Sequence, residues 1–313
     1  MTLMAKETTI QPCVATIGSF DGVHQGHQFV LRQVVSQARQ RGLDAVAVTF
    51  SNHPLQVLRP GFTPQLLTLP DEKVRLLQQT DIAKVVLLDF TPAMAQMTAR
   101  DFMSQVLKEQ LHVQVLLIGY DNHFGHDGKG FHDYVQYGND LGIEVLPAGE
   151  LEGGYSSTAI RQAILEGDIT TANTLLGHPY TLQGTVVQGF QNGRKLGFPT
   201  ANLQIDPLKL IPENGAYLVR TSLAHPLSKE AAPQPPLCFG MLNIGTRPTL
   251  HNGKQRSIEV HLFDFEGDLY GQSLQIDLLH HLRKEIEFRS LDELKAQLLQ
   301  DEQACRHLIP HCS

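Results

Sequence analysis

His24 and His27 stand three residues apart in Gly18-Ser19-Phe20-Asp21-Gly22-Val23-His24-Gln25-Gly26-His27, where an apolar run gives way to helical periodicity. That spacing puts both imidazoles on one face of a first helical turn. Glycines flank them, and the amides at a helix start favour an anion. Imidazoles placed there can donate hydrogen bonds to phosphate oxygens as charge builds in a transition state. A metal centre would need a third ligand, and none lies nearby in the sequence. A second glycine-punctuated segment runs Gly193-Arg194-Lys195-Leu196-Gly197-Phe198-Pro199-Thr200-Ala201-Asn202. Thr200 and Asn202 offer two hard oxygens on one face of an extended segment, which suits one magnesium shared with phosphates. The glycines let the backbone approach those phosphates closely. No GxxxxGK[ST] loop occurs, so a kinase here is not of the P-loop type. Glu259 interrupts a β-branched and apolar run. It suits a general base toward a hydroxyl, or an ion pair with Arg247 or Arg283. Two phosphate sites on one chain suggest two phosphate-transfer reactions in series.

The elements that must hold these residues follow from periodicity. Apolar runs at 14–17, 45–50, 85–88, 113–118 and 143–146 read as short strands. Helical patterns at 27–39, 71–79 and 99–111 separate them. Alternating strands and helices predict a doubly wound parallel sheet, with ligands at the carboxyl ends of the strands. The segments 18–27, 51–54 and 119–125 all fall on that rim. Helices are expected at 157–165, ended by Gly167, and at 169–176, ended by Gly177. Beyond Tyr180 the pattern changes to strands at 181–187, 217–222, 237–244, 257–264 and 274–282, which predicts a small antiparallel barrel. A closing helix starts near Ser290, where Ser290 and Glu293 form a capping box. The proline-rich stretch 224–236 reads as a surface loop. The domain boundary is placed near residue 180, giving domains 1–180 and 181–313.

Length and composition agree with two folded domains. The chain has 313 residues, 42% hydrophobic and 18% charged, with a formal charge of −7. That balance argues against a nucleic-acid partner. No apolar run approaches the roughly 20 residues that span a bilayer, and no secretory signal is visible. The scattered Cys13, Cys238, Cys305 and Cys312 form no CxxC pair and read as free thiols of a cytoplasmic protein.

The segment 18–27 resembles the nucleotidyltransferase signature of the bacterial bifunctional riboflavin kinase/FMN adenylyltransferase (FAD synthetase) family. Ser156-Ser157-Thr158-Ala159-Ile160-Arg161 resembles its SSTxIR segment. Hydroxyls at a helix start with an arginine one turn on can grip a triphosphate, and the same hydroxyls suit a plain N-cap. Phe50-Ser51-Asn52-His53-Pro54 and Gly119-Tyr120-Asp121-Asn122-His123-Phe124-Gly125 resemble two further family loops, with Asn52 where proline is common and Asn122 where an aromatic is. Gly184 to Gly189 with Gly193 to Leu203 resembles the riboflavin kinase signature, and the segments 243–249 and 258–265 complete it.

The resemblance implies an N-terminal Rossmann-like nucleotidyltransferase and a C-terminal flavokinase barrel. It implies ATP phosphates held in the first by Gly18, Phe20, Asp21, Gly22, Gly26, Ser156, Ser157 and Thr158, with His24, His27 and Arg161 catalytic. FMN would lie against Asn52, His53 and Asp121. In the second, Gly189, Gly193, Arg194, Gly197 and Pro199 would hold ATP, Thr200 and Asn202 the Mg2+, and Arg247, Arg283, Glu285 and Phe288 riboflavin, with Glu259 as base. The product would be FAD, and the partners small molecules only, in a monomer or weak homo-oligomer. Three rivals remain at this point: a flavokinase alone, a flavin-binding regulator without catalysis, and a different HxGH nucleotidyltransferase. The last leaves residues 180–313 unexplained.

Overall fold

The computed structural model describes residues 11–119, 122–189, 193, 196–223, 238–248 and 254–311; at 247, 248, 254 and 255 it describes the backbone alone. Asp121, Arg194, Cys312 and the stretch 224–236 therefore lie outside the described residues, as does the side chain of Arg247. By its internal contacts the chain divides into two units, one ending at Ser157 and one beginning at Thr158. That division precedes the boundary near 180 expected from the change of periodicity.

In the first unit, β1 (Cys13–Ile17), β2 (Asp44–Phe50), β3 (Lys84–Leu88), β4 (Val113–Ile118) and β5 (Glu144–Pro147) form one parallel sheet in the order β3-β2-β1-β4-β5. Side chains alternate across it. Ala15, Ile17, Val46 and Val48 enter one core layer, and Val14, Ala45 and Ala47 the opposite one. A strand buried on both faces must be apolar throughout, which explains the unbroken runs. Helix α1 (Gln25–Arg41) covers one face with Leu31, Val34, Val35 and Ala38, spaced at helical intervals. It starts at His24 and stops at Gly42, whose φ of 66° is the left-handed cap that glycine tolerates.

Short helices α2 (Pro54–Leu58), α3 (Pro70–Gln78) and α4 (Pro92–Ala95) follow β2 and β3. The helix expected at 99–111 is Ala99–Asp101 continued by Phe102–Gln110 with i→i+5 hydrogen bonding. An unexpected helix, α5 (Phe131–Leu141), joins β4 to β5.

In the second unit, α6 (Ser157–Leu165) and α7 (Ile169–Leu176) lead into a closed six-stranded barrel. Its strands are β6 (Tyr180–Val187), β7 (Ala201–Ile205), β8 (Gly215–Leu223), β9 (Cys238–Pro248), β10 (Lys254–Leu262) and β11 (Ser273–Lys284), paired antiparallel in the order β10-β7-β6-β11-β8-β9. Strand β7 is the one the sequence reading lacked. Helix α7 is tied to the barrel by hydrogen bonds. Asn173 of α7 donates to Leu278 O of β11 at 2.9 Å and accepts from Tyr180 N at 2.7 Å.

Helix α8 (Leu291–Leu308) closes the chain, capped by Ser290 as expected. Two ion pairs fix it. Asp301 takes three hydrogen bonds from Arg283 at 2.7–3.1 Å. Arg306 donates to both oxygens of Asp264 at 3.0 Å.

Candidate active sites

The strand order reverses between β1 and β4, and the carboxyl ends of those strands open into a cleft of about 720 Å³. A topological switch point is where open α/β sheets bind ligands. Ile17, Gly18, Phe20, His24, Gly26, His27, Asn122, Ser156 and Ser157 line it.

Its floor is a strained turn. Phe20 and Val23 hold φ of 48° and 42°, a region that costs a β-branched residue energy and that is concentrated at functional turns. Packing maintains it, since both side chains are buried. A Cβ on Gly18 would press on the Phe20 ring at 3.3 Å, and one on Gly26 would meet His24 Cε1 at 3.1 Å. Those two glycines are therefore packing requirements.

The His24 and His27 rings stack with centroids 3.6 Å apart. His24 Nδ1 accepts the His27 amide hydrogen at 3.3 Å, so that nitrogen bears no proton and a neutral ring presents Nε2–H. Burial pushes the His24 pKa down to about 4, against a smaller opposing pull from Asp21. Burial, then His24 and Lys73, hold His27 well below the ordinary histidine range. Both rings are neutral donors near pH 7. His27 Nδ1 is buried with no hydrogen-bond partner among the described residues.

Asp21 braces the turn. Its carboxylate accepts from Leu67 N at 3.2 Å, and from Thr68 N at 2.9 Å and Thr68 Oγ1 at 3.2 Å. Gly22 N donates to the same threonine. These residues anchor the turn to the segment before α3 and do not line the large cleft. Ser157 Oγ donates to Asp21 O at 2.9 Å. Thr158 and Arg161 follow on α6 beyond the division between the units, Arg161 on the same helix face as Ser157.

At the end of β2, Asn52 uses both ends of its amide on Phe90, accepting from its N at 2.8 Å and donating to its O at 2.9 Å. His53 Nδ1 caps α2 by accepting from Leu55 N at 3.1 Å. Asn122, set aside on sequence, donates to Ile17 O at 2.5 Å and ties the β4 loop to the end of β1. Lys73 of α3 is 8% exposed and donates to Ser19 O at 3.1 Å and Phe50 O at 2.8 Å, joining the β1 and β2 loops. Burial lowers its pKa to about 8, with a partial offset from Asp21.

In the barrel two cavities meet at Thr200. One, of about 390 Å³, is lined by Phe198, Thr200, Asn243, Glu259, His261, Arg283, Glu285 and Phe288, with Leu291, Leu294 and Leu298 of α8 as its apolar wall. The other, of about 310 Å³, is lined by Pro199, Thr200, Phe265, Asp268 and Tyr270. Thr200 Oγ1 donates to Glu259 Oε2 at 3.3 Å. Asn202 stands directly opposite Glu259 in the β7–β10 ladder. The ladder thus brings a hydroxyl, an amide and a carboxylate to neighbouring positions, residue types that offer hard oxygens. Glycines make the room: a Cβ on Gly189 would lie 2.0 Å from Asn202 Nδ2, and one on Gly193 would lie 2.2 Å from Phe198 O. Arg283 pairs with Asp301. Its guanidinium also lies 5.9 Å from the Phe288 ring centroid. Glu285 accepts from Thr246 N at 2.9 Å and from Asn214 Nδ2 at 2.8 Å.

Comparison with known proteins matches both halves. The FAD synthetase family model covers residues 6–159 and the riboflavin kinase model residues 176–309. The bifunctional riboflavin kinase/FMN adenylyltransferase of Escherichia coli (strain K12) is 38% identical over 305 residues, covering 95% of this chain and 93% of that protein. The chain belongs to this family. Relatives of the same description from Haemophilus influenzae and Bacillus subtilis are 35% and 33% identical, covering 95% and 93% of the chain and 94% and 90% of their own lengths. A crystal structure from Streptococcus pneumoniae, described as a macrolide-efflux protein, is 32% identical with a TM-score of 0.83 and covers 96% of both chains. Among the described residues of this family member, no helix is long and apolar enough to cross a membrane.

Membership leaves each residue's role to geometry. The structure brings together Gly18, Phe20, His24, Gly26, His27, Ser156 and Ser157 in one cleft, and Thr200, Glu259, Arg283, Glu285 and Phe288 around another. Gly197 holds a left-handed φ of 86° in the turn before Phe198. Lys73, Asn243, His261 and Asp301 were given no role on sequence, and Asn122 was weighed there and left out of the site.

Proposed function

We propose that this chain phosphorylates riboflavin to FMN in the barrel and adenylylates FMN to FAD at the switch-point cleft. One observation carries the assignment: Thr200, hydrogen-bonded to Glu259, lines both barrel cavities, so a phosphoryl donor and an acceptor can meet there. The isoalloxazine takes the apolar 390 Å³ cavity beside Phe198, Phe288 and α8, and ATP takes the 310 Å³ cavity. Thr200 and Asn202 would hold Mg2+ together with the phosphates, where it would offset their charge. Glu259 accepts the proton of the ribityl hydroxyl while that oxygen bonds to the γ-phosphorus and the bond to ADP breaks.

In the cleft, an FMN phosphate oxygen attacks the α-phosphorus of a second ATP and pyrophosphate leaves. That nucleophile is already ionised and needs no base. His24 donates through Nε2–H, and Arg161 supplies positive charge from α6. Asp21, Asn52 and the capping nitrogen of His53 hold loops in place, which supports a positioning role for them. FMN contact through Asp121, nucleotide contact through Arg194, and riboflavin contact through Arg247 remain part of the assignment. The free thiols of Cys13, Cys238 and Cys305 support a reducing cytoplasmic location. We also assign the chain small-molecule partners without nucleic acid, and a monomeric or weakly self-associating state.

Chromatographic analysis of products from riboflavin, ATP and Mg2+ tests the scheme. Wild type should yield FAD, His27→Ala should stop at FMN, and Glu259→Ala should form neither. FAD from His27→Ala, or FMN from Glu259→Ala, overturns the corresponding half.

A further inference from the structure

His261 lies on β10 two residues beyond Glu259, so strand alternation sends both side chains to one face. Both line the 390 Å³ cavity. His261 Nδ1 is 2.7 Å from the carbonyl oxygen of Pro199, the residue before Thr200. A carbonyl only accepts, so Nδ1 bears the hydrogen. In the neutral ring Nε2 is left as an acceptor, and no described residue hydrogen-bonds to it. The edges of Phe198 and Phe263, with centroids at 5.3 Å and 5.8 Å, bracket the imidazole and fix its plane. The cavity is therefore divided by chemistry. Phe198, Phe288 and Leu291 offer walls for a flat aromatic system, whereas Thr200, Glu259 and His261 form a polar end.

We propose that His261 is a positioning and specificity residue for the polyol chain of the flavin, a role that rests on the kinase reading above. Its Nδ1–H holds Pro199 and through it Thr200. Its Nε2 accepts a hydrogen bond from a chain hydroxyl other than the one that is phosphorylated.

Two substitutions separate these contacts, because an asparagine amide reaches the position of Nδ1 and a glutamine amide that of Nε2. The assay is riboflavin kinase kinetics, with lumiflavin, which carries a methyl group in place of the polyol, as competitive inhibitor. His261→Asn should raise KM for riboflavin about 3- to 10-fold, the loss of one hydrogen bond, and leave Ki for lumiflavin unchanged. His261→Gln should keep KM and lower kcat, since Thr200 loses its support. Parallel rises in KM and Ki, no change in His261→Asn, or an equal rise of KM in both variants each overturn the proposal. A wild type that does not phosphorylate riboflavin refutes the kinase reading instead.

Discussion

Replacing Lys73 by methionine should disable FMN adenylylation while leaving the fold about as stable as before. The ammonium is buried, and its pKa falls from the ordinary 10.5 to about 8. That difference makes the charged form about 3 kcal/mol less favourable in the fold than in the unfolded chain. Methionine of similar length removes this penalty and gives up two hydrogen bonds, to Ser19 O and Phe50 O. Bonds from a charged donor contribute about 1.5–3 kcal/mol each. The two contributions offset one another to within about 3 kcal/mol. The site does not share that compensation, because the β1 and β2 loops lose their common tether. A loss of about 2–3 kcal/mol in loop placement corresponds to roughly 30- to 150-fold in kcat/KM for FMN.

The sign of the pH effect separates the two properties. The unfolded chain binds more protons between pH 8 and 10.5, so wild-type stability gains up to about 3 kcal/mol from this group as pH rises through that window. Adenylylation falls as pH rises through about 8, where the ammonium of the folded chain loses its charge. Urea denaturation and FAD formation from FMN, measured across pH for both proteins, are the assays. Full activity in Lys73→Met, or a stability difference from wild type that does not change between pH 8 and 10.5, refutes the reasoning.

Thr200→Val keeps the volume and removes the hydroxyl between the two cavities; FMN formation should fall by about 100-fold or more, with FAD formation from supplied FMN unchanged. His24, buried and held at a pKa of about 4, contributes stability that is present above pH 6.5 and lost as pH falls toward 4. Acid titration of His24→Phe should show that loss reduced by up to about 3 kcal/mol. Asp301→Ala leaves Arg283 without its carboxylate partner, at a cost of about 3–5 kcal/mol. Calorimetry should show the barrel melting earlier, and KM for riboflavin should rise as α8 loosens.

The strands with unbroken apolar runs were legible because burial on both sheet faces leaves no other composition. Strand β7 was not, since it is only five residues long and follows a proline-led turn. Helix α5 begins at Gly130, which has no side chain to cap it, and contains Gly138, where a Cβ would strike Ile143 O at 2.4 Å. Tertiary packing selects that glycine against helix propensity. The two glycine-punctuated segments stood out because glycines and hydroxyls cluster locally, and residues of each line a cavity. Lys73 and Asp301 were not, because each lies on a helix that reads as solvated, and only the fold shows their burial. The side chains of Asp21 and Asn52 hold backbone in the structure, and sequence does not distinguish a ligand from a brace.

The single threonine between the barrel cavities has a stereochemical consequence. On the proposed assignment donor and acceptor occupy the two cavities together, and direct displacement between them is one in-line transfer. A γ-phosphate made chiral with oxygen isotopes should therefore reach the ribityl oxygen with its handedness inverted.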